Sequence, residues 1–173
     1  MLNVYLRELS VNDLTKLNEY RNEKKSIDFL GANFRYIDIS NDVAWYEKYK
    51  NNRNNNVRLA ICSEKFEGII GVVYLLDIDW VNRNAEFAIW LFDDAVKGAG
   101  VGKFVTDMVL KHAVYDLNLH RVYLHVLESN YRAIKLYKTV GFETEGKLRD
   151  AIYKNGKYEN IIIMSFLSSK FDE

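Results

Sequence analysis

Three apolar runs follow one another in the middle of the chain, and they restrict the fold more than any other feature. Residues 57–62 read as a strand. A turn near Lys65-Phe66-Glu67 leads to a second strand over 68–76. A polar connection over 77–84 leads to a third over 85–91. Links this short leave no room for crossover helices, so an antiparallel meander is expected. A second signal of the same kind closes the chain: residues 142–153 and 157–167 flank Asn155-Gly156. That dipeptide accepts the positive φ angles a two-residue hairpin turn demands.

Helical signals fill the spaces between. Asn12 or Asp13 can cap a helix running to about Arg21, and Asn41 can cap a second through Trp45 and Tyr49 to about Lys50. The stretch 27–39 is aromatic and irregular. From Gly102, the residues Phe104, Val105, Met108, Val109, His112 and Ala113 recur at helical spacing to about Leu117. Residues 121–127 are dense in β-formers. Asn130 opens a shorter helix to about Thr139, which Gly141 ends. The expected order is β-α-α-β-β-β-α-β-α-β-β: an α+β fold with a mixed, mostly antiparallel sheet of about seven strands and about four helices.

Composition narrows the function. At 173 residues the chain has the length of one domain. Lys plus Arg and Asp plus Glu number 24 each, which removes the electrostatic reason to expect nucleic acid as a partner. No apolar run is long enough to predict a membrane-spanning helix, and the N-terminal segment is too soon charged for a secretory signal. One cysteine, Cys62, leaves no partner for a disulfide and no paired-cysteine zinc site, so no metal is expected. A reducing, cytoplasmic home is the simplest expectation.

The segment Lys97-Gly98-Ala99-Gly100-Val101-Gly102 follows a strand and opens a helix. Glycines there let backbone N–H groups crowd round an anion, and the helix N-terminus adds partial positive charge. The spacing fits neither of two common phosphate loops. A P-loop would need Gly at position 97 and a hydroxyl at 104, where Lys97 and Phe104 stand. A dinucleotide fingerprint would need its third glycine at Lys103.

The loop does resemble the pyrophosphate loop of the GNAT N-acetyltransferases, Gln/Arg-x-x-Gly-x-Gly/Ala, with Lys97 at the first position. Lys keeps the charge there but not the planar two-pronged geometry of Arg. The likeness extends to Asn82-Arg83-Asn84-Ala85-Glu86-Phe87 before the loop and Asn118-Leu119-His120-Arg121-Val122-Tyr123-Leu124-His125-Val126 after it. It continues through Glu128-Ser129-Asn130-Tyr131-Arg132-Ala133-Ile134-Lys135-Leu136-Tyr137, and through Tyr153-Lys154-Asn155-Gly156-Lys157-Tyr158 near the end. It covers residues 1–170, read as one GNAT domain. The nearest branch holds ribosomal-protein N-terminal, spermidine and nucleotide-amino-sugar acetyltransferases.

The resemblance implies acetyl-CoA as donor and a primary amine as acceptor. It places the pantetheine arm along the strand backbone near Ile89 and Leu91, and the diphosphate on Lys97, Gly98, Ala99, Gly100, Val101 and Gly102. It also implies direct transfer, with no acyl-enzyme. An alkylamine with a pKa of about 10.4 arrives protonated and must lose a proton, and the departing thiolate leaves more easily once protonated. Tyr137 is the candidate acid. It lies on the same helix face as Asn130, about 10 Å along the axis, and Asn130 is a candidate for cofactor or active-site water. Either residue is otherwise structural, as a core aromatic and an N-cap. Glu86 is the candidate base, with His125 as rival and a salt bridge to Arg83 or Arg121 as the structural alternative.

The acceptor side is expected to draw on Tyr20-Arg21-Asn22, the segment 29–36 and Trp45-Tyr46. Aromatic and amide groups suit a sugar ring, and Arg21, Arg35 or Arg53 could meet a nucleotide diphosphate. A nucleotide-linked amino sugar is therefore ranked first. A polyamine, drawn by Asp77, Asp79, Glu86, Asp93 and Asp94, is second. A ribosomal-protein N-terminus comes third, and a non-catalytic acyl-CoA-binding module is the alternative of a different class. The alternative reading of the aromatics is core and dimer contacts, with strand pairing or the C-terminal hairpin as the routes to a homodimer.

Overall fold

The computed structural model describes residues 3–92, 96 and 98–171. Its strands are β1 (Val4–Glu8), β2 (Val57–Ser63), β3 (Ile69–Asp79), β4 (Asn84–Leu91), β5 (Arg121–Leu127), β6 (Glu143–Lys154) and β7 (Lys157–Leu167). They form one seven-stranded sheet in the order β1-β2-β3-β4-β5-β7-β6. Only β4 and β5 run parallel; every other neighbouring pair is antiparallel. The meander and the terminal hairpin are as the sequence predicts. At the hairpin turn, Asn155 has φ 50° and Gly156 φ 84°, the two positive values that set the turn type.

The helices are α1 (Leu14–Arg21), α2 (Lys24–Ile27), α3 (Ile39–Lys50), α4 (Val101–Lys111) and α5 (Tyr131–Thr139). Among the described residues five helices stand where about four were expected. The addition, α2, is a single turn, too short for apolar periodicity to reveal. Two boundaries also differ. Asp38, not Asn41, caps α3, its side chain accepting the Ser40 N–H at 2.9 Å. Beyond α4 the backbone widens into a π turn over His112–Asp116 instead of continuing as α-helix.

Each face of the sheet carries its own core. Alternation along β4 and β5 sends Ala85, Phe87, Val122, Leu124 and Val126 toward α4 and α5, where they pack with Val101, Val105, Val109 and Tyr137. On the other face Leu9, Leu14, Leu17, Ala60, Ile69 and Val72 pack with Tyr20, Trp45, Tyr46 and Trp90. No helix among the described residues is long and apolar enough to cross a membrane.

Candidate active site

β4 and β5 stay in register at only three positions: Asn84 with Arg121, Ala85 with Val122 and Glu86 with Tyr123. Pairing stops there, although β4 runs on to Leu91 and β5 to Leu127. The strands diverge into a V with Glu86 and Tyr123 at its apex. Its base is fastened by Arg83, whose carbonyl accepts the N–H groups of His120 and Arg121 at 2.7 and 3.1 Å. The Arg83 guanidinium donates to the backbone and side-chain oxygens of Asn118, both at 2.6 Å.

Above the apex, β4 backbone is open toward β5. The Phe92 N–H turns the other way, donating to Ile70 O on β3 at 3.0 Å. Alternation then turns the N–H and C=O groups of Ile89 and Leu91 into the gap. A linear, amide-bearing molecule can bond along them as a short added strand.

The glycine loop lies between β4 and α4. Of its residues, Lys97 lies outside the described residues, as do Asp93 and Asp94 of the expected acidic rim. Gly98 and Gly100 have φ 92° and 81°, and Gly100 is the N-cap of α4. The N–H groups of Val101, Gly102 and Lys103 have no acceptor four residues back within the helix, which suits an anion. Gly102 has a different reason to be glycine. A β-carbon there would stand 2.9 Å from Leu136 Cδ1, so its small size lets α4 approach α5. Arg132 was not singled out from sequence, yet its Nη2 lies 3.4 Å from where a β-carbon on Gly98 would sit. It brings a cation to the loop. Its place in the first turn of α5 is the signal, once α5 is known to begin beside the loop.

At the apex, Glu86 Oε1 and His125 Nδ1 are 2.8 Å apart, with the side chains 30% and 39% exposed. The two residues that looked like rivals form one pair. The salt bridge that was the structural alternative for Glu86 is not made: Arg121 donates two hydrogen bonds of 2.5 Å to Glu145, and Arg83 is held by Asn118. Tyr123, also missed from sequence, is the register partner of Glu86 and sits edge-on to His125 with ring centroids 5.9 Å apart. Burial raises its pKa, and the Glu86 and Asp77 carboxylates raise it further. The alternation of Arg121, Tyr123 and His125 on one strand face would have marked it. A bulge between Leu76 and Asp79, with Asp77 at φ 50°, bends β3 beside Glu86.

Tyr137 stands on the opposite face of the sheet at the same level. Its ring packs against Phe87, at 6.2 Å between centroids, and Phe142, at 5.6 Å. It is 8% exposed, and burial pushes its pKa up to about 12, so it stays a hydroxyl donor at neutral pH. Asn130 caps α5, its Oδ1 accepting the Ala133 N–H at 3.1 Å while Nδ2 reaches Phe29 O at 3.4 Å. The capping role is therefore present, and the amide also joins α5 to the 28–36 segment.

The groups behind the amino-sugar expectation are mostly engaged in structure. Arg21 is ion-paired with the fully buried Asp42, which also accepts from Asn18 at 2.7 Å. Asn22 bonds the Ile37 N–H and C=O, both at 2.8 Å. Arg53 pairs with Glu8 at 2.9 Å. Tyr20 stacks on Phe92, Trp45 packs against Tyr74, and the Tyr46 hydroxyl donates to Leu9 O at 3.2 Å. These aromatics are half-buried and pack against the core. Phe29 and Tyr36 remain exposed, at 62% and 87%. Asp79 is spent on its own turn, accepting from the Val81 and Asn82 N–H groups at 2.9 and 2.8 Å. A separate cleft of about 640 Å³, lined by Tyr49, Arg53, Arg58 and His112 among others, has no wall from β4 or β5.

Residues 3–143 match the model of the acetyltransferase (GNAT) domain family. The spermidine N(1)-acetyltransferase of Vibrio cholerae is 33% identical over 122 residues, 70% of each chain. That of Escherichia coli strain K12 is 33% identical over 101 residues, 58% of this chain and 54% of its own length. In three dimensions, the crystal structure of the Vibrio cholerae spermidine N-acetyltransferase in complex with CoA and spermine superposes with a TM-score of 0.90 and 27% identity. The match covers 98% of both chains. A splayed β4–β5 pair, a glycine loop at the head of α4 and these likenesses together place the chain in the GNAT acetyltransferase family, and it is an acyltransferase.

Proposed function

We propose that the chain moves an acetyl group from acetyl-CoA to a primary amine of a polyamine of the spermidine type, by direct attack. The observation that carries the acceptor class is the full-length likeness to a spermidine acetyltransferase in complex with CoA and spermine. The site supports it. Two carboxylates stand at the apex, Glu86 and Asp77, both close enough to act on Tyr123, and the Arg121 guanidinium that acts against them is paired with Glu145. A polycation is drawn to such a rim, and a nucleotide diphosphate is repelled by it. This reverses the order expected from sequence, which put the amino sugar first.

The thioester lies in the V. The pantetheine arm bonds the backbone of Ile89 and Leu91. The diphosphate sits on the loop from Lys97 to Gly102, with Arg132 beside it. The ammonium of the acceptor gives up its proton toward the Glu86–His125 pair, directly or through a water, and the free amine attacks the acetyl carbon. The carbonyl oxygen gains charge as the tetrahedral intermediate forms, and β4 N–H groups facing the gap can hold it. Collapse breaks the carbon–sulfur bond, Tyr137 delivers a proton to the thiolate from the other face of the sheet, and the proton that the attacking nitrogen then sheds passes through water to restore the tyrosine hydroxyl. Base and acid thus stand on opposite sides of the strand layer, with the thioester between them. Asn130 orders the mouth of the gap through its bond to the 28–36 segment.

The test is thiol release from acetyl-CoA, with product mass, against spermidine, spermine, nucleotide-linked 4-amino sugars and ribosomal N-terminal peptides. Spermidine or spermine turning over at least about tenfold faster than the rest is the expected result. A sugar or peptide ahead of both polyamines overturns the acceptor class. Silence across the panel from a protein that binds CoA leaves two readings, an acceptor outside the panel or an acyl-CoA-binding module.

A further inference from the structure

Lys154 is the last residue of β6, at the tip of the terminal hairpin, and it is only 6% exposed. A buried ammonium is costly unless each N–H finds an acceptor. Here all three do. Nζ donates to the carbonyls of Ile27 at 2.7 Å, Leu30 at 2.6 Å and Ala32 at 2.8 Å. Ile27 is the last residue of α2, so the ammonium also caps the carbonyl end of that helix. Burial pulls its pKa below the usual lysine value, against the Asp28 and Glu159 carboxylates, which favour the charge. Two further straps run alongside: Asn155 Nδ2 donates to Asp28 Oδ1 at 3.0 Å, and Asn130 Nδ2 reaches Phe29 O at 3.4 Å.

Beyond these bonds the segment is fixed at its two ends, by the buried Ile27 and by Asn22, which holds the Ile37 backbone. Residues Phe29, Gly31, Ala32 and Asn33 are all exposed, and the chain from Gly31 to Asp38 forms no helix or strand. Ordering such a stretch against its conformational entropy needs specific bonds, and a charged donor supplies strong ones. A residue 122 positions away in sequence supplies them here.

We propose that Lys154 is a positioning residue for acetyl transfer: its ammonium pins the 27–32 segment against the hairpin tip and the start of α5, and so sets the acceptor-side wall of the site. The second half rests on the acceptor reading above, in which segment 28–36 flanks the amine. The first half is independent of it. Lys154 touches no reacting atom; it acts through Phe29 and Asn130.

The experiment uses the full chain and Lys154→Met, with hydrogen exchange over residues 27–33 and separate KM values for spermidine and acetyl-CoA. Amides of 27–33 are expected to exchange at least about tenfold faster in the variant, since bonds to a charged donor are lost. The spermidine KM is expected to rise about fivefold or more, with the acetyl-CoA KM within about twofold. Asp28→Ala, which removes the acceptor of the Asn155 strap and leaves the turn residues in place, should shift both readouts the same way by less, and it carries the test if Lys154→Met does not fold. Unchanged exchange over 27–33 overturns the clamp. Faster exchange with an unchanged spermidine KM, or equal rises for both substrates, overturns the positioning role. If the unaltered protein acetylates no amine, the acceptor reading has failed, and exchange alone still decides the clamp.

Discussion

The gap between β4 and β5 and the aromatic segment 28–36 are the two sides of the proposed reaction, and they are built differently. The gap is made of backbone. Its apex is fixed by the register of Glu86 with Tyr123, its base by Arg83 and Asn118, and its open edge by the alternation that turns Ile89 and Leu91 inward. The acceptor segment has no ladder of its own. It is held by side chains from distant parts of the chain, with Lys154, Asn155 and Asn130 reaching back to residues 27–32. A backbone site can bind one fixed donor while its side chains vary. A wall held by side chains can change its guest with a few substitutions.

The comparison is broken most severely at the apex. Glu86→Gln is expected to lower kcat with spermidine about 10²–10³-fold while CoA affinity holds, and His125→Asn about tenfold. If His125→Asn proves the more damaging, the imidazole carries the proton and Glu86 orients it. Next comes Asp42→Ala, which strands Arg21 beside a buried site and should lower stability by about 3–5 kcal/mol in urea unfolding. The spermidine KM of the folded protein should not move. A raised KM with stability intact would transfer the Arg21–Asp42 pair from the core to the acceptor side.

Smaller effects sharpen the donor side. Gly102→Val should cost about 1–3 kcal/mol in thermal unfolding, because Leu136 Cδ1 occupies the space a side chain needs. No loss would mean that Leu136 yields and that the glycine serves the ligand alone. The smallest effect is one of pH. Hydrogen bonds from Arg121 and then Ser165 draw the Glu145 pKa down to about 2. A depressed carboxyl pKa stabilises the fold above its unfolded value of 4.5, and the contribution is lost as pH falls from there through about 2. Glu145 is 40% exposed, so the effect should stay below about 1 kcal/mol, and Arg121→Gln should remove it.

These two sides also differ in how far the sequence discloses them. Strand runs, the Asn155-Gly156 turn and the glycine loop are local patterns, and each lies where the spacing places it. Glu86 and His125 were legible as candidates because a charged group inside an apolar strand is conspicuous. Their pairing was not, because it depends on the parallel register of two strands separated by a helix. Tyr20, Trp45 and Tyr46 look the same in sequence whether they line a pocket or a core. Only packing against Phe92, Tyr74 and Leu9 distinguishes them. Gly102 fits an anion loop by motif and a helix contact by geometry. Lys154 sits in a motif that reads as a solvated hairpin, and its burial follows from a segment more than a hundred residues earlier.

The central claim is that the thioester is worked from both faces of the sheet, with Glu86 and His125 on one and Tyr137 on the other. Steady-state thiol release by Tyr137→Phe, set against its CoA affinity, tests this most directly. Removing one hydroxyl leaves the ring packed on Phe87 and Phe142, so the fold should be kept. The account predicts that kcat with spermidine falls about 10–10²-fold with CoA affinity unchanged. Unchanged turnover would make Tyr137 a core aromatic and leave the thiolate to depart unaided.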